Sequence, residues 1–314
     1  MNQIIKDIYK QAKLSHKKIV LAEGTDERII KAAKIIRDQK IAELIILGPN
    51  SNCDINPQKS PLLDQFATTL FELRKEKGLT LSEAKILVKD PIYFGTLMVH
   101  LGLADGLVAG AIHTTLDTLK PSLQIIKAKE KSKIISSFFI IETKNKDVGE
   151  NGLLFFADCG LNVNPTSEEL SEIALQTANS FKLLTKKNPL IAMLSYSTND
   201  SAKGESVDKV KLATKLVRQK NPNLIIEGEL QGDAALVPHV CDRKFPGNCI
   251  GGQANILIFP DINSGNIAYK LVERIAKAKA YGLLNQNIKK TVNDLSQGCS
   301  VEYIVTIVAI TCIQ

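Results

Sequence analysis

The sequence lacks the cysteine patterns that mark disulfide frameworks or zinc sites. Its six cysteines are scattered along 314 residues, without a CxxC pair or a His/Cys cluster of zinc-ligand spacing. It also lacks any apolar run near the roughly 18 residues that a membrane span needs. The first 20 residues form an amphipathic helix pattern without the continuous apolar core of a signal peptide. These absences predict a cytoplasmic protein with reduced thiols and no metal.

Motifs for nucleotide binding and for serine hydrolysis are also missing. The sequence contains no P-loop, no GxGxxG fingerprint and no GxSxG nucleophile elbow. No Arg-rich or aromatic-studded basic stripe occurs, so nucleic-acid binding is not expected. The net charge is +7, with Lys and Glu interspersed along the chain. This mild basic excess suits an enzyme that acts on anionic metabolites.

The sequence does contain an alternation of short apolar segments and helical patterns. The apolar segments predict strands at 17–23, 43–48, 106–111, 133–141, 153–158, 191–197, 223–229 and 255–260. The helical patterns between them include 26–39, 167–184, 206–220 and 265–280. Strands that are apolar throughout and separated by helices predict an α/β fold with mostly parallel sheets, buried on both faces.

Charged, turn-rich segments at 127–134 and 142–152 are the expected seams of the chain. In an open α/β sheet, ligands bind beyond the carboxyl ends of the strands, so the turns there are the places to search. One such turn lies in 109–124, where Thr114 and Thr115 start a helix that carries Lys120. It fits an anion pocket and an ordinary capped helix equally well.

Two further turns follow apolar strands and carry hydroxyl or amide side chains. Ser195 and Ser197 end one strand, and Asn263 and Ser264 begin the helix after another. Hydroxyl donors and exposed backbone N–H groups at such turns can hold a phosphate, although capped helices often look the same.

The strand predicted at 223–229 delivers Glu227 and Glu229 to one face, and Asp233 follows it. Acids in such a group can serve as metal ligands or bases, but partnership with Lys and Arg is the favoured interpretation.

Long segments of the sequence resemble the phosphate acetyltransferases. The resemblance rests on IFPDINSGNIAYKLVERIAKAKAYG, MLSYSTNDSAKGESVDKV, EGELQGDAALVP, VNDLSQGCSVEYIV, LAEGTDERIIKAA, KDPIYFGTLMVHLGLADGLVAGA and DTLKPSLQIIK, and it spans nearly the whole chain. It implies acetyl transfer between acetyl phosphate and coenzyme A, with inorganic phosphate as the other partner. It also implies a homodimer without a metal or a permanently bound cofactor, and no nucleic-acid or membrane partner.

The same resemblance implies a two-domain α/β fold similar to the isocitrate and isopropylmalate dehydrogenases. The expected domains are 1–133 with 297–314, and 134–296, with the active site in a cleft between them. A dehydrogenase activity is not expected, because the metal-binding aspartate cluster of those enzymes is missing.

Residue roles carry over from the family's motifs. Arg74 matches an arginine of the anion site, Thr115 a small hydroxyl residue that lines the site, and Ser296 a site serine. Lys120 stands where the family usually has Arg, so it keeps the charge but loses the planar fork. Ser195, Ser197, Asn263 and Ser264 are the further predicted substrate contacts.

Two positions depart from the family pattern in the turn 293–305. Gln297 replaces an arginine that contacts the substrate phosphate, and Tyr303 replaces the aspartate proposed as the base for the thiol. A phenol with an ordinary pKa of about 10 is a poor base near neutral pH. The sequence therefore predicts a phosphate acetyltransferase with impaired turnover. The alternatives are a phosphate butyryltransferase and a catalytically weak, coenzyme A-binding relative.

Overall fold

A computed structural model describes residues 1–129 and 134–314 of the chain. Its strands are β1 (Lys18–Leu21), β2 (Glu43–Ile46), β3 (Gly106–Ala109), β4 (Ser136–Glu142), β5 (Leu153–Ala157), β6 (Leu190–Leu194), β7 (Ile225–Leu230), β8 (Ile256–Ile258), β9 (Lys279–Gln286) and β10 (Thr291–Asp294).

Helices lie between most of these strands. They are α1 (Gln3–Ser15), α2 (Glu27–Asp38), α3 (Leu63–Arg74), α4 (Leu81–Leu87), α5 (Pro91–His100), α6 (Thr115–Ile125), α7 (Ser167–Thr185), α8 (Glu205–Lys220), α9 (Gly232–Leu236), α10 (Pro238–Lys244), α11 (Ile262–Ile275) and α12 (Val301–Thr311). None of the helices in the described ranges is long and apolar enough to cross a membrane.

The chain divides into two compact units. Within the described residues, the first unit comprises 7–129 and 288–314, and the second unit comprises 1–6 and 134–287. The predicted seam at 133/134 borders residues 130–133, which lie outside the described ranges.

The first unit is built on a parallel sheet with the strand order β10-β3-β1-β2. Strands β1 and β3 are apolar, and α2 buries Ile29, Ala32, Ala33 and Ile36. These positions follow the i, i+3, i+4, i+7 spacing of one helix face. Helix α12 is apolar over most of its length and packs against α2 and β3. The sheet is therefore covered by helices, and its carboxyl edge presents the turns after β1, β3 and β10.

The second unit contains a sheet with the order β7-β6-β8-β5-β4-β9. Its pairs are parallel except that β4 runs antiparallel to β5 and β9. Phe138 stacks on Phe155 with ring centroids 5.0 Å apart, and Phe181 meets the same ring edge-on. The predicted α/β class with mostly parallel sheets is confirmed.

Two strands and one helix end differ from the sequence-based prediction. The helix predicted over 265–280 ends at Ile275, and Lys277 takes a positive φ of 51° before β9 begins. Strand β9 was not predicted, because its pairing with β4 is a long-range contact.

Strand β10 was not predicted either. Its residue Val292 lies in register with Leu107 of β3, so 288–296 group with the first unit. The sequence instead places the return to the first domain at 297.

Candidate functional site

The turn after β3 is wrapped around the carboxylate of Glu23, which follows β1. This carboxylate is buried and accepts hydrogen bonds from the backbone N–H groups of residues 110–113, at 2.9, 2.7, 3.0 and 3.1 Å. The Nδ1 atom of His113 lies 2.7 Å from the same carboxylate. Backbone N–H groups in such a turn would otherwise attract an anion from solvent. Here Glu23 is that anion, so this part of the turn is internally satisfied.

Gly110 is required at the start of this turn. Its φ is +107°, and an added Cβ atom would lie 2.2 Å from Oδ1 of Asp294. A side chain would therefore suffer both backbone strain and collision with the end of β10.

The guanidinium of Arg28 ties three segments of the first unit together. Its Nη1 atom donates to the carbonyl oxygens of Gln297 and Cys299, at 2.6 and 3.1 Å, and Nη2 donates to that of Ala111 at 2.8 Å. The planar fork suits such multiple contacts, which a lysine cannot reproduce. Arg28 thereby holds the turn after β10 against the turn after β3.

Asp26 completes this arrangement at the start of α2. Its carboxylate lies 2.6 Å from Nη2 of Arg28 and also accepts the backbone N–H of Arg28 at 2.7 Å. The hydrogen bond from the Arg28 side chain lowers the pKa of Asp26, and Asp26 in turn raises the pKa of Arg28. The charge of Arg28 is thus already paired, so it is poorly available to a bound phosphate.

Asp294, the last residue of β10, carries the most perturbed carboxyl of this region. It is 2% exposed, and its Oδ2 atom accepts a hydrogen bond of 2.8 Å from the hydroxyl of Thr115. Burial raises the pKa of Asp294 to about 7, against the opposing effect of the hydroxyls of Thr115 and Thr118. The negative charge of Glu23 raises this pKa further. A carboxyl that titrates near neutral pH is suited to proton transfer.

Two predicted site residues lie in the turn that follows Asp294. Ser296 and Gln297 are exposed, and Nε2 of Gln297 donates to the carbonyl oxygen of His113 at 3.2 Å. Tyr303 lies in the first turn of α12, where its backbone N–H donates to the hydroxyl of Ser300 at 3.2 Å. Ser300 therefore caps the N-terminus of α12.

Helix α6 is capped by its own side chains. The hydroxyl of Thr114 accepts the N–H of Asp117, and the Asp117 carboxylate accepts the N–H of Thr114. Thr115 is the first residue of α6 and is exposed, as is Lys120 one turn later. Arg74 ends α3, a helix that contacts α6, and is half-buried. In the first unit, Thr115 is thus the predicted site residue whose hydroxyl donates directly to the buried acid Asp294.

The second unit contains the remaining predicted contacts. Ser197 is buried, and its hydroxyl donates to Glu229 at 2.8 Å. Ser195 is half-buried, and its hydroxyl accepts the N–H of Ser197 at 3.2 Å. The hydroxyl of Ser197 therefore stabilises the turn after β6 through an internal hydrogen bond, whereas Ser195 lies nearer the surface.

Asn263 and Ser264 lie in the first turn of α11. Asp261 caps this helix, because its carboxylate accepts the N–H of Ser264 at 2.9 Å. The hydroxyl of Ser264 donates to the carbonyl of Asp261 at 2.8 Å, and Asn263 is exposed. Part of the N–H array predicted to face a ligand is thus used by Asp261.

The three acids of the strand β7 region serve mainly as structural partners. Glu227 pairs with Arg218, and Asp233 lies 2.8 Å from Lys244. The prediction of Lys and Arg partners is confirmed for these two acids. Across residues 1–129 and 134–314, no group of three His, Cys, Asp or Glu side chains is arranged to hold a metal ion.

Sequence reasoning missed Glu23, Arg28 and Asp294 as parts of this region. Glu23 gave a usable signal, since it is the last residue of the strand predicted at 17–23. Asp294 gave none, because the strand that delivers it was not predicted.

We expect Arg28→Lys to destabilise the first unit by about 1–3 kcal/mol, because carbonyl oxygens lose charge-assisted partners. The drop should be visible in the midpoint of thermal unfolding. Arg37→Lys is the matched control, since Arg37 pairs with Asp54 at a solvent-exposed position, with 44% of its side chain accessible. Its cost should stay below about 1 kcal/mol. Equal shifts for the two variants would contradict the role of Arg28.

Comparison with known proteins assigns the chain to a family. A family model described as "Phosphate acetyl/butaryl transferase" matches residues 3–312. The chain is 49% identical to a phosphate acetyltransferase of Thermoanaerobacterium thermosaccharolyticum, over 99% of both chains. The crystal structure of a phosphotransacetylase from Streptococcus pyogenes superimposes with a TM-score of 0.90 at 39% identity, covering 100% of this chain and 98% of that one.

A more distant structure supports the fold class. A 4-hydroxythreonine-4-phosphate dehydrogenase from Klebsiella pneumoniae matches 95% of this chain and 100% of its own, with a TM-score of 0.50 and 11% identity. At this identity the likeness concerns the fold alone, and it agrees with the predicted dehydrogenase-like architecture. The family model over residues 3–312 and the 49% identical relative show that the chain belongs to the phosphate acetyl/butyryl transferase family.

Proposed function

We propose that the chain transfers an acetyl group between acetyl phosphate and coenzyme A, releasing or taking up inorganic phosphate. The observation that carries this proposal is the 49% identity with a phosphate acetyltransferase over 99% of both chains. Coenzyme A is then a substrate, and no permanently bound cofactor or metal takes part. A net charge of +7 favours association with these polyanionic substrates.

The chemistry sets three demands on the site. The thiol of coenzyme A, with an ordinary thiol pKa of about 8.5, must lose its proton before its sulfur attacks the acetyl carbonyl carbon. The carbonyl oxygen then needs hydrogen-bond donors, each worth about 10²–10³ in rate. The departing phosphate needs positive charge around it.

Residues of the first unit can meet these demands. Ser296 and Gln297 present exposed donor groups on a turn whose backbone is fixed by Arg28. We assign them to the carbonyl oxygen and the phosphoryl group. Lys120 and Arg74 are the cations we assign to phosphate, since among residues 1–129 and 134–314 neither forms an ion pair with an acid, whereas Arg28 pairs with Asp26.

The second unit has its own set of proposed anion contacts. Ser195, Asn263 and Ser264 lie at turns that follow strands β6 and β8, where anions commonly bind. Ser197 acts indirectly in this proposal, since its hydroxyl is committed to Glu229.

The proposed activity predicts that acetyl phosphate consumes the coenzyme A thiol and releases one phosphate per thiol lost. A thiol-reactive dye and a phosphate assay measure both products in one reaction. Propionyl and butyryl phosphate, run beside acetyl phosphate, separate acetyl from butyryl transfer, which the family description covers together. Absence of thiol loss with all three acyl phosphates would refute the proposal. Coenzyme A binding without turnover would then favour a coenzyme A-binding relative.

The loss of a charge at position 297 leads us to propose reduced turnover. Gln297→Arg combined with Tyr303→Asp should raise kcat/KM for acetyl phosphate by about tenfold or more, because a charge-assisted contact and a second carboxylate are added. Gln58→Arg is the control, since it adds the same charge at an exposed position of the first unit. Full activity of the unmodified chain, unchanged in the double variant, would contradict the proposed impairment.

We further propose a homodimer in the cytoplasm. Ile267, Leu271 and Ile275 on α11 are 57%, 51% and 77% exposed, and their spacing places them on one helix face. A second copy of the chain would cover such an apolar face.

All six cysteines are free, which suits the reducing environment of the proposed cytoplasmic location.

The proposed homodimer is tested by light scattering. Leu271→Glu should shift the protein from dimer to monomer, because a charge would be buried in the interface. Leu14→Glu, at a position that is 78% exposed on α1, should leave the dimer intact. A wild-type monomer would refute the proposed assembly.

A further inference from the structure

We propose that Asp294 is the base of the acyl transfer and that it receives the thiol proton through the hydroxyl of Thr115. This inference rests on the proposed acetyl transfer and deepens it by naming a proton acceptor. It assigns a catalytic role to a residue that the sequence resemblance left without one.

The geometry connects a buried acid to the surface through one side chain. Thr115 is exposed, whereas Asp294 is 2% exposed, and their oxygen atoms are 2.8 Å apart. Because the Thr115 hydroxyl donates to Asp294, its oxygen lone pairs are left to accept a proton from a substrate. A thiol at this position would contact Thr115 and would reach Asp294 only through it.

The other carboxylate oxygen of Asp294 is left unused. Among the described residues, Oδ1 of Asp294 has no hydrogen-bond partner. The nearby hydroxyl of Thr118 donates to the carbonyl of Thr114 at 3.2 Å. A buried polar atom without a partner costs free energy, so its retention calls for a functional explanation. A carboxyl poised to take up a proton supplies one.

The surroundings of Asp294 favour proton uptake near neutral pH. Burial raises the pKa of Asp294 to about 7, and the charge of Glu23 adds to this effect. The hydroxyls of Thr115 and Thr118 and the N–H of Leu295 act in the opposite direction. A general base works best when its pKa is close to the working pH.

The other ionisable groups around Asp294 are hydrogen-bonded elsewhere, exposed to solvent, or protonated near neutral pH. His113 is bound through Nδ1 to Glu23. The charged side chains on the neighbouring helices α6 and α12 are exposed: Asp117, Lys120 and Glu302. Burial raises the pKa of the Cys299 thiol to about 11, so it stays protonated.

The thiol proton moves to Oγ1 of Thr115 while the hydroxyl proton of Thr115 moves to Oδ2 of Asp294. The sulfur electron pair forms the C–S bond with the acetyl carbon, the C–O bond to phosphate breaks, and phosphate leaves with that electron pair. Asp294 is then neutral, and its proton returns through Thr115 to phosphate or water.

The test compares kcat over pH 5.5–9 for the wild type, Asp294→Asn, Thr115→Val and Thr115→Ser. Asparagine preserves the shape and the acceptor for Thr115 but cannot take a proton, so kcat should fall by about 10²–10⁴. The kcat of Thr115→Val should fall by a similar factor. Thr115→Ser should keep most of the wild-type kcat because it retains the hydroxyl. The wild-type profile should show an acid limb near pH 7 that Asp294→Asn lacks.

Matched controls are Asp64→Asn and Thr68→Val on the exposed face of α3, which should leave the pH profile of kcat unchanged.

Thermal unfolding supplies a second readout. Between pH 4 and 7 the folded state holds the Asp294 proton more tightly than the unfolded chain, so ionisation lowers stability as the pH rises. Asp294→Asn should therefore unfold at a higher temperature than the wild type at pH 8 while being less active.

The outcomes separate this inference from the proposed function. An active wild type, with a folded Asp294→Asn variant that keeps both its rate and its acid limb, overturns the relay and leaves acetyl transfer standing. Wild-type rates in Thr115→Val overturn the relay as well. A wild type without acetyl transfer overturns the proposed function itself.

Discussion

The polar edge of the first unit depends on the buried carboxylate of Glu23. Four backbone N–H groups from the turn after β3 converge on it, together with the ring of His113. These contacts fix the turn that delivers Thr115 at the start of α6. They also place a negative charge close to Asp294 and so help to keep that carboxyl protonated up to near-neutral pH.

The two buried carboxyls of this edge differ because their partners differ. Glu23 accepts hydrogen bonds from four backbone N–H groups. Asp294 has one hydroxyl partner on Oδ2 and, within the described residues, none on Oδ1, which suits a group that changes charge. Arg28 holds the turn that follows Asp294 in place, yet its own charge is paired with Asp26. The site thus combines rigid support with one acid that can titrate.

Much of this arrangement follows from the sequence, and the rest depends on long-range contacts. Apolar strands alternating with helices were sufficient to predict the α/β class, and the family motifs identified Thr115, Ser296, Gln297 and Tyr303 as candidate site residues. The role of Asp294 could not be predicted, because β10 contains little apolar sequence and exists through its pairing with β3. The convergence on Glu23 joins residues 87–90 positions apart. Burial, which raises the pKa of Asp294, is likewise a property of the folded chain.

The most direct test of this account is a carboxyl ¹³C NMR titration of Asp294, compared with the pH dependence of acetyl transfer. We expect the Asp294 carboxyl to titrate with a pKa of about 7 and the acid limb of kcat/KM to have the same midpoint. An Asp294 pKa near the ordinary value of about 4, with activity that still falls below pH 7, would contradict it.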